Sequence, residues 1–422
     1  MKDIHQPLHV TIVGGGMITH DQILPSIYHL QRAGVVGQID IAALNSGPLR
    51  DLAHEKTFET AFPGQTFRAY PELREDPAKM LPDLYKDVIK KMSPGNLVIV
   101  AVPDHFHYPV ITTALACGQN ILSVKPLVLH YTESVEIEKL ARKKGLFVGI
   151  EYHKRFDRRS LETRGAYRAG KFGEFRCGEA KLVEPWYYRH SNFQNWFTKE
   201  NTDPFTYIGC HYVDLVYFIT GLRPVEISLQ GVEGTFPNNN TGYLWSNGRV
   251  IFENGGILSV INGLGYPDEG AGSNDQGMCL FCEGIDKGGY IAHNDQFRGV
   301  SHSYVEKIGL ASPFRFINPD YLRLVPWEGR GLKPAGYGYD SIEASVLAAA
   351  RLTRETAGIP EKKAIGKRQA ALDEIDERGI IATPKNSFIN ELVMEAGRLS
   401  ILNNGKHAVI EYGKTPGVKL RK

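Results

Sequence analysis

The chain has few cysteines, no long apolar run and no charge bias, and each lack excludes something. Five cysteines lie scattered through 422 residues. An odd count without a spacing pattern excludes the disulfide framework of small secreted domains and suits reduced thiols. Cys279 and Cys282, in "CLFC", form a close pair. A zinc site needs two more ligands at matching spacing, and Cys177 and Cys210 each stand alone, so no metal is expected. The pair reads as two half-buried thiols on a strand. No stretch approaches the about 18 apolar residues of a membrane-spanning helix. The opening, "MKDIHQPLHVTIVGGGM", runs into a strand without the basic, apolar and small-residue succession of a signal peptide. A cytoplasmic protein with no membrane partner is therefore expected. Lys and Arg number 49 against 47 Asp and Glu, a net charge of +2 with no basic block, which points away from nucleic acid and anionic membranes. There are no repeats and no low-complexity tract.

What is present suffices for two domains with a sizeable core. Apolar strands alternate with helical spacings over the first 150 or so residues. "HVTIVG" (9–14) precedes a helix over 20–33, and "IDIAALN" (39–45) is a second strand. "NLVIVAVP" (96–103), a helix over 110–118, "NILSV" (120–124), a helix over 131–144 and "LFVGIEY" (146–152) follow. Strands apolar on both faces and joined by helices predict a doubly wound parallel sheet of the Rossmann type. Beyond residue 155 the strand candidates alternate apolar and polar: 175–184, 225–233, 248–254, 256–263 and 277–284. That pattern predicts a C-terminal α/β domain on an open, mainly antiparallel sheet with one solvated face. The expected domains are 1–152, nucleotide binding, and 153–422, substrate binding and oligomerisation. Residues 361–378 are highly charged and read as a solvated helix or insert. Residues 388–405 read as an amphipathic helix, followed by a short strand.

Candidate chemistry begins at "TIVGGGMITH". Gly14 and Gly16 follow the first strand, and Met17 and Ile18 open the first helix. This strand–glycine turn–helix order cradles a dinucleotide pyrophosphate: one glycine for the turn, one for close backbone approach, and the helix N-terminus for the charge. Thr19 stands at the motif's third glycine position, where its extra atoms are expected to widen the helix–strand approach. The second strand ends in Asn45-Ser46, not in the acid that holds ribose hydroxyls in NAD sites. Asn45 can bond a hydroxyl without repelling a 2′-phosphate, and Arg50 follows close by, so NAD is favoured slightly and NADP stays open. Lys125-Pro126 closes an otherwise apolar strand, a costly place for an ammonium unless it has work there. "EPWYYRHSNFQNWF" (184–197) combines flat aromatic faces with amide and guanidinium tips, the composition of a sugar site. Packing beneath the sheet explains it equally well.

"VAVPDHFHYP", "NILSVKPLVLH", "GIEYHKRFDRR" and "YIGCHYVDLVYFITG" together resemble the Gfo/Idh/MocA family of sugar and polyol oxidoreductases, over nearly the whole chain. The resemblance implies that Pro103 and His107 line the nicotinamide end and that Lys125 is catalytic, with Pro126 completing the Lys-Pro pair. Val124 stands where the family's Glu-Lys-Pro signature has its glutamate. His211 falls at the usual catalytic histidine. Tyr207 occupies the place of an aspartate that completes a triad in many members, and Asp214, one helical turn beyond His211, is the other candidate to orient it. His153, Lys154 and Arg155 fall at the crossing into the second domain, and with Trp186, Asn195 and His211 are the expected substrate contacts. The implied activity is oxidation of a secondary hydroxyl of a sugar, glycoside or cyclitol by a homo-oligomer, a dimer or tetramer. Oxidation of glycosides at C3 is included. The alternatives are an NAD-dependent glycosidase using transient oxidation and elimination, and a non-enzymatic dinucleotide sensor.

Overall fold

The computed structural model describes residues 7–269, 274–285, 287–294 and 320–422. Part of the glycine-rich stretch 265–277 lies outside these residues. The chain divides into two compact units, each with its own sheet. Of the described residues, the first unit holds those up to Leu127, Thr132–His153 and 320–386. The second holds Val128–Tyr131, Lys154 to 294, and Ser387–Lys422.

In the first unit six strands form one parallel sheet: β1 (Leu8–Val13), β2 (Val36–Ala42), β3 (Arg68–Tyr70), β4 (Leu97–Val100), β5 (Asn120–Val124) and β6 (Val148–Glu151). The order is β3-β2-β1-β4-β5-β6, so the winding reverses between β1 and β4. Ligands of doubly wound sheets bind beyond the carboxyl ends of the strands around such a reversal. Every residue of β4 is buried, as are all four of β6, which explains the apolar run of β4 and of β6 up to its last residue. The helix Leu24–Arg32 presents Leu24, Ile27 and Leu30 to this core. The helix Tyr131–Lys144 has the bounds expected of it.

One crossing between units falls after His153, against the boundary expected at 152/153, and residues 320–386 return to the first unit. The helix Tyr337–Glu355 sets Ile342, Val346, Ala349 and Ala350 into the Rossmann core. Apolar spacing alone does not say which sheet such a helix covers. The charged stretch 361–378 is a helix, Glu361–Arg378, and it too belongs to the first unit. Its narrow apolar side buries Ala364, Ala371 and Leu372, while Gln369 Nε2 donates to the Arg142 carbonyl at 2.9 Å.

The second unit is built on a mixed sheet of eight strands. Its first six are β7 (Glu174–Pro185), β8 (Pro224–Thr235), β9 (Thr241–Phe252), β10 (Ile257–Tyr266), β11 (Asp275–Gly284) and β12 (Lys287–Asn294). They are ordered β12-β11-β7-β10-β9-β8, and the hairpin Ala408–Glu411/Gly417–Leu420 continues the sheet past β8. All pairs are antiparallel except β7–β10. The in/out alternation along β7, shifted by one residue between Phe175 and Cys177, and along the first half of β10 places Phe175, Ala180 and Leu182, and Leu258 and Val260, on the covered face. The helices Cys210–Thr220 and Ile389–Ile401 carry the complementary apolar residues.

Candidate active site

The glycine loop leaves β1 at its carboxyl end. Gly14 has φ +114°, and a Cβ there would stand 2.0 Å from the Ala101 carbonyl oxygen. No side chain is tolerated where the loop crosses the end of β4. A Cβ on Gly16 would meet nothing within 4 Å, so at this position the backbone is exposed to whatever lies above the loop. Met17 and Ile18 begin the helical turn, and the amides of Thr19 and His20 bond back to the Gly16 carbonyl, both at 3.1 Å. Thr19 does more than occupy a glycine position. Its hydroxyl donates to the Gly14 carbonyl at 2.7 Å and its side chain is fully buried, tying helix to loop. This loop fits a pyrophosphate: room at Gly16, and amides at a helix start.

At the end of β2, Asn45 Oδ1 accepts from the Gly47 amide at 3.0 Å. Ser46 is fully buried and its hydroxyl donates to the Glu75 carbonyl at 2.6 Å, so its oxygen serves the loop after β3. Arg50 donates to the same segment, through Nε to the Leu73 carbonyl (2.5 Å) and Nη2 to the Glu75 carbonyl (2.8 Å).

Lys125 is half-buried and directly follows β5, and the Lys125–Pro126 peptide is cis. His107 lies under this loop. It is fully buried, its Nδ1 meets the Pro126 carbonyl at 2.7 Å and its Nε2 the Val102 carbonyl at 2.9 Å. It therefore joins the loops after β4 and β5 through their backbones. Pro103 opens the short turn between them. His153 follows β6 and its Nδ1 donates to Glu151 at 2.7 Å. Glu151 and its partners Gln22 and Ser341 are buried polar residues that reading the sequence missed. The one signal was a carboxylate ending an otherwise apolar strand.

In the second unit His211 sits on the helix Cys210–Thr220 with 6% exposure. Asp214, on the same helix, faces other partners: Arg155 through Nε to Oδ2 (2.8 Å) and Nη2 to Oδ1 (2.5 Å), and Asn390 Nδ2 at 2.7 Å. This buried bidentate pair cross-braces the unit. Arg155, 1% exposed, is thus engaged inside the protein. Lys154 is also buried. Its Nζ donates to Gln276 Oε1 at 2.7 Å and lies 5.1 Å over the Tyr212 ring. Tyr207 is on the π-helical turn Phe205–Gly209. Its ring meets Phe193, Trp196 and Phe197 edge-on, with centroids 5.2, 5.6 and 5.8 Å away. Much of the aromatic stretch is therefore packing. Trp186, 45% exposed, does present a face, beside His190. Asn195 is exposed and linked to Asn192 and Asn238. Among the described residues no three His, Cys, Asp or Glu side chains are placed to hold a metal. Cys279 and Cys282 are free thiols on β11.

A glycine loop over a parallel doubly wound sheet, with a lysine at a carboxyl edge, defines a dinucleotide-binding unit joined to a mixed-sheet unit. Residues 8–152 match the model of the Gfo/Idh/MocA oxidoreductase family, NAD-binding Rossmann fold. The chain is 24% identical over 202 residues to D-glucoside 3-dehydrogenase of Escherichia coli, covering 44% of this chain and 54% of the relative. It is 25% identical over 223 residues to inositol 2-dehydrogenase 1 of Saccharopolyspora erythraea, covering 53% and 57%. The alignments to curated relatives span less than two thirds of those proteins, 41% in the case of an uncharacterised Bacillus subtilis oxidoreductase. In fold the chain is similar to an inositol dehydrogenase homologue from Azotobacter vinelandii complexed with NAD+, with TM-score 0.63 and 15% identity over 96% of this chain and 98% of that one. Among the described residues no helix is long and apolar enough to cross a membrane.

Proposed function

We propose that this protein oxidises a secondary hydroxyl of a sugar, glycoside or cyclitol with NAD, Lys125 and His211 being its catalytic residues. The observation that carries the reading is the place of Lys125: a half-buried ammonium at the carboxyl edge of β5, in the sheet whose glycine loop fits a dinucleotide. When bound, the nicotinamide supplies the hydride acceptor. Gly14–Ile18 would hold the pyrophosphate and Asn45 a ribose hydroxyl. Lys125 stabilises the alkoxide as the hydroxyl proton leaves. His211 takes that proton, an imidazole being the natural base near neutrality. Tyr207 is the residue left to orient His211, because Asp214 serves Arg155 and Asn390.

NAD is favoured over NADP because Arg50, the nearest cation to the end of β2 in sequence, spends Nε and Nη2 on backbone carbonyls. The similarity to a D-glucoside 3-dehydrogenase supports glycoside oxidation at C3, and the similarity to an inositol 2-dehydrogenase supports cyclitols. Trp186 and Asn195 are proposed substrate contacts; His153 is taken up below. The protein is proposed to act in the cytoplasm as a homo-oligomer. The test is a panel of hexoses, hexosides and inositols with both nucleotides, read at the reduced-nicotinamide absorbance band. Turnover with NAD well above that with NADP is expected. Aglycone release without net absorbance change would replace this reading with the glycosidase, and nucleotide binding with neither outcome would replace it with the sensor.

A further inference from the structure

β6 is apolar until its last residue, Glu151. In the register of β5 and β6, Glu151 stands opposite Val124, the residue before Lys125. Its carboxylate is 4% exposed. A carboxylate out of water is costly unless several donors meet it, and here three side chains do. Gln22 Nε2 donates to Oε1 at 2.9 Å, the Ser341 hydroxyl donates to the same oxygen, and His153 Nδ1 donates to Oε2 at 2.7 Å. Gln22 belongs to the helical turn just after the glycine loop. It also donates to the Gly338 carbonyl at 2.9 Å and accepts from the Tyr321 hydroxyl.

The His153 ring lies against Tyr321 (centroids 4.9 Å apart) and stacks on Tyr337 (5.4 Å). A carboxylate oxygen only accepts, so the proton of this bond is carried by Nδ1. Tautomer and ring plane are both set, the arrangement by which a carboxylate prepares an imidazole for proton transfer.

We propose that Glu151 is a positioning residue for proton handling at the carboxyl edge beside Lys125: it holds His153 with Nδ1 protonated and, through Gln22, anchors the helix that follows the dinucleotide loop. The proposal rests on the oxidoreductase reading above. A merely structural network would dock the returning segment 320–341 and do nothing else.

The tautomer is read first, without substrate, by imidazole nitrogen NMR on the full chain labelled at histidine, with His153→Asn used for assignment. Nδ1–H is expected in the parent and its loss in Glu151→Gln. A parent with Nε2–H overturns the proposal. Kinetics follow on the best alcohol of the panel. Glu151→Gln is expected to lower kcat about 100-fold while KM and NAD affinity change less than about threefold. Glu151→Asp should recover part of the loss, and His153→Asn added to Glu151→Gln should cost nothing more. A Glu151→Gln protein that keeps its kcat, or two losses that multiply, overturns the proposal. Should Glu151→Gln not fold, His153→Asn leaves Gln22 and Ser341 on Glu151 and decides alone: unchanged kcat overturns it. A parent that oxidises no alcohol with either nucleotide overturns the oxidoreductase reading instead, and the spectrum still tests the histidine's tautomer.

Discussion

Among single residues, the role proposed for Lys125 makes the sharpest prediction. Lys125 is half-buried just past β5, where an ammonium can meet the charge that develops on a bound alcohol. Lys125→Ala is expected to leave dinucleotide affinity within about twofold and to cut kcat by about 10²–10³, since an interaction made with developing charge acts on the transition state. Fluorescence titration with NAD and steady-state rates check both halves, and a variant with most of its activity would remove Lys125 from the catalytic role. This lysine was legible in the sequence because charge at the end of an apolar run is local information. Glu151 was less so, because its meaning comes from residues 129 and 190 positions away. The same holds for Asp214, whose helical spacing suggested His211 as its partner. Arg155 claims it from 59 residues upstream.

Among elements, the loop from β1 into its helix has the tightest geometry. Gly14→Ala forces a Cβ onto a backbone carbonyl at a positive φ, and neither strand can give way without breaking the sheet. A loss of at least about 2 kcal/mol is expected from strain and overpacking together, with dinucleotide binding lost. Thr19→Val keeps the shape but removes the donor to the part-buried Gly14 carbonyl, for a loss of about 1 kcal/mol. Chemical denaturation with and without NAD measures both. A Gly14→Ala protein with parental stability and affinity would contradict this account of the loop. The parallel strands were legible because burial on both faces writes itself as unbroken apolar runs. Thr19 was expected only to widen the turn; its hydrogen bond to Gly14 needed coordinates. The parallel β7–β10 pair was also hidden, since alternation is the same whichever way a neighbour runs.

At the scale of the whole molecule, the chain order suggested one domain following another, and the return of 320–386 to the Rossmann unit shows the limit of that reading. Which sheet a helix covers is settled by long-range packing, not by the spacing of its apolar residues. The exposed face of the second unit's sheet has its own consequence. Tyr290, Phe281, Cys177, Ile257 and Ile251 are cross-strand neighbours in one row over β12, β11, β7, β10 and β9. Phe281 and Tyr290 are 54% and 58% exposed with rings 5.3 Å apart, and Ile257 and Ile261 add 37% and 43%. An exposed apolar row across five strands is the kind of surface that self-association covers, and it is the proposed face of the homo-oligomer. Phe281→Glu combined with Tyr290→Lys leaves the covered side of the sheet untouched, because both side chains point to solvent. Sedimentation velocity is expected to show the parent as a dimer or tetramer and the double variant as a smaller species with an unchanged melting temperature of its second unit. An unaltered sedimentation coefficient would assign the oligomer to another surface.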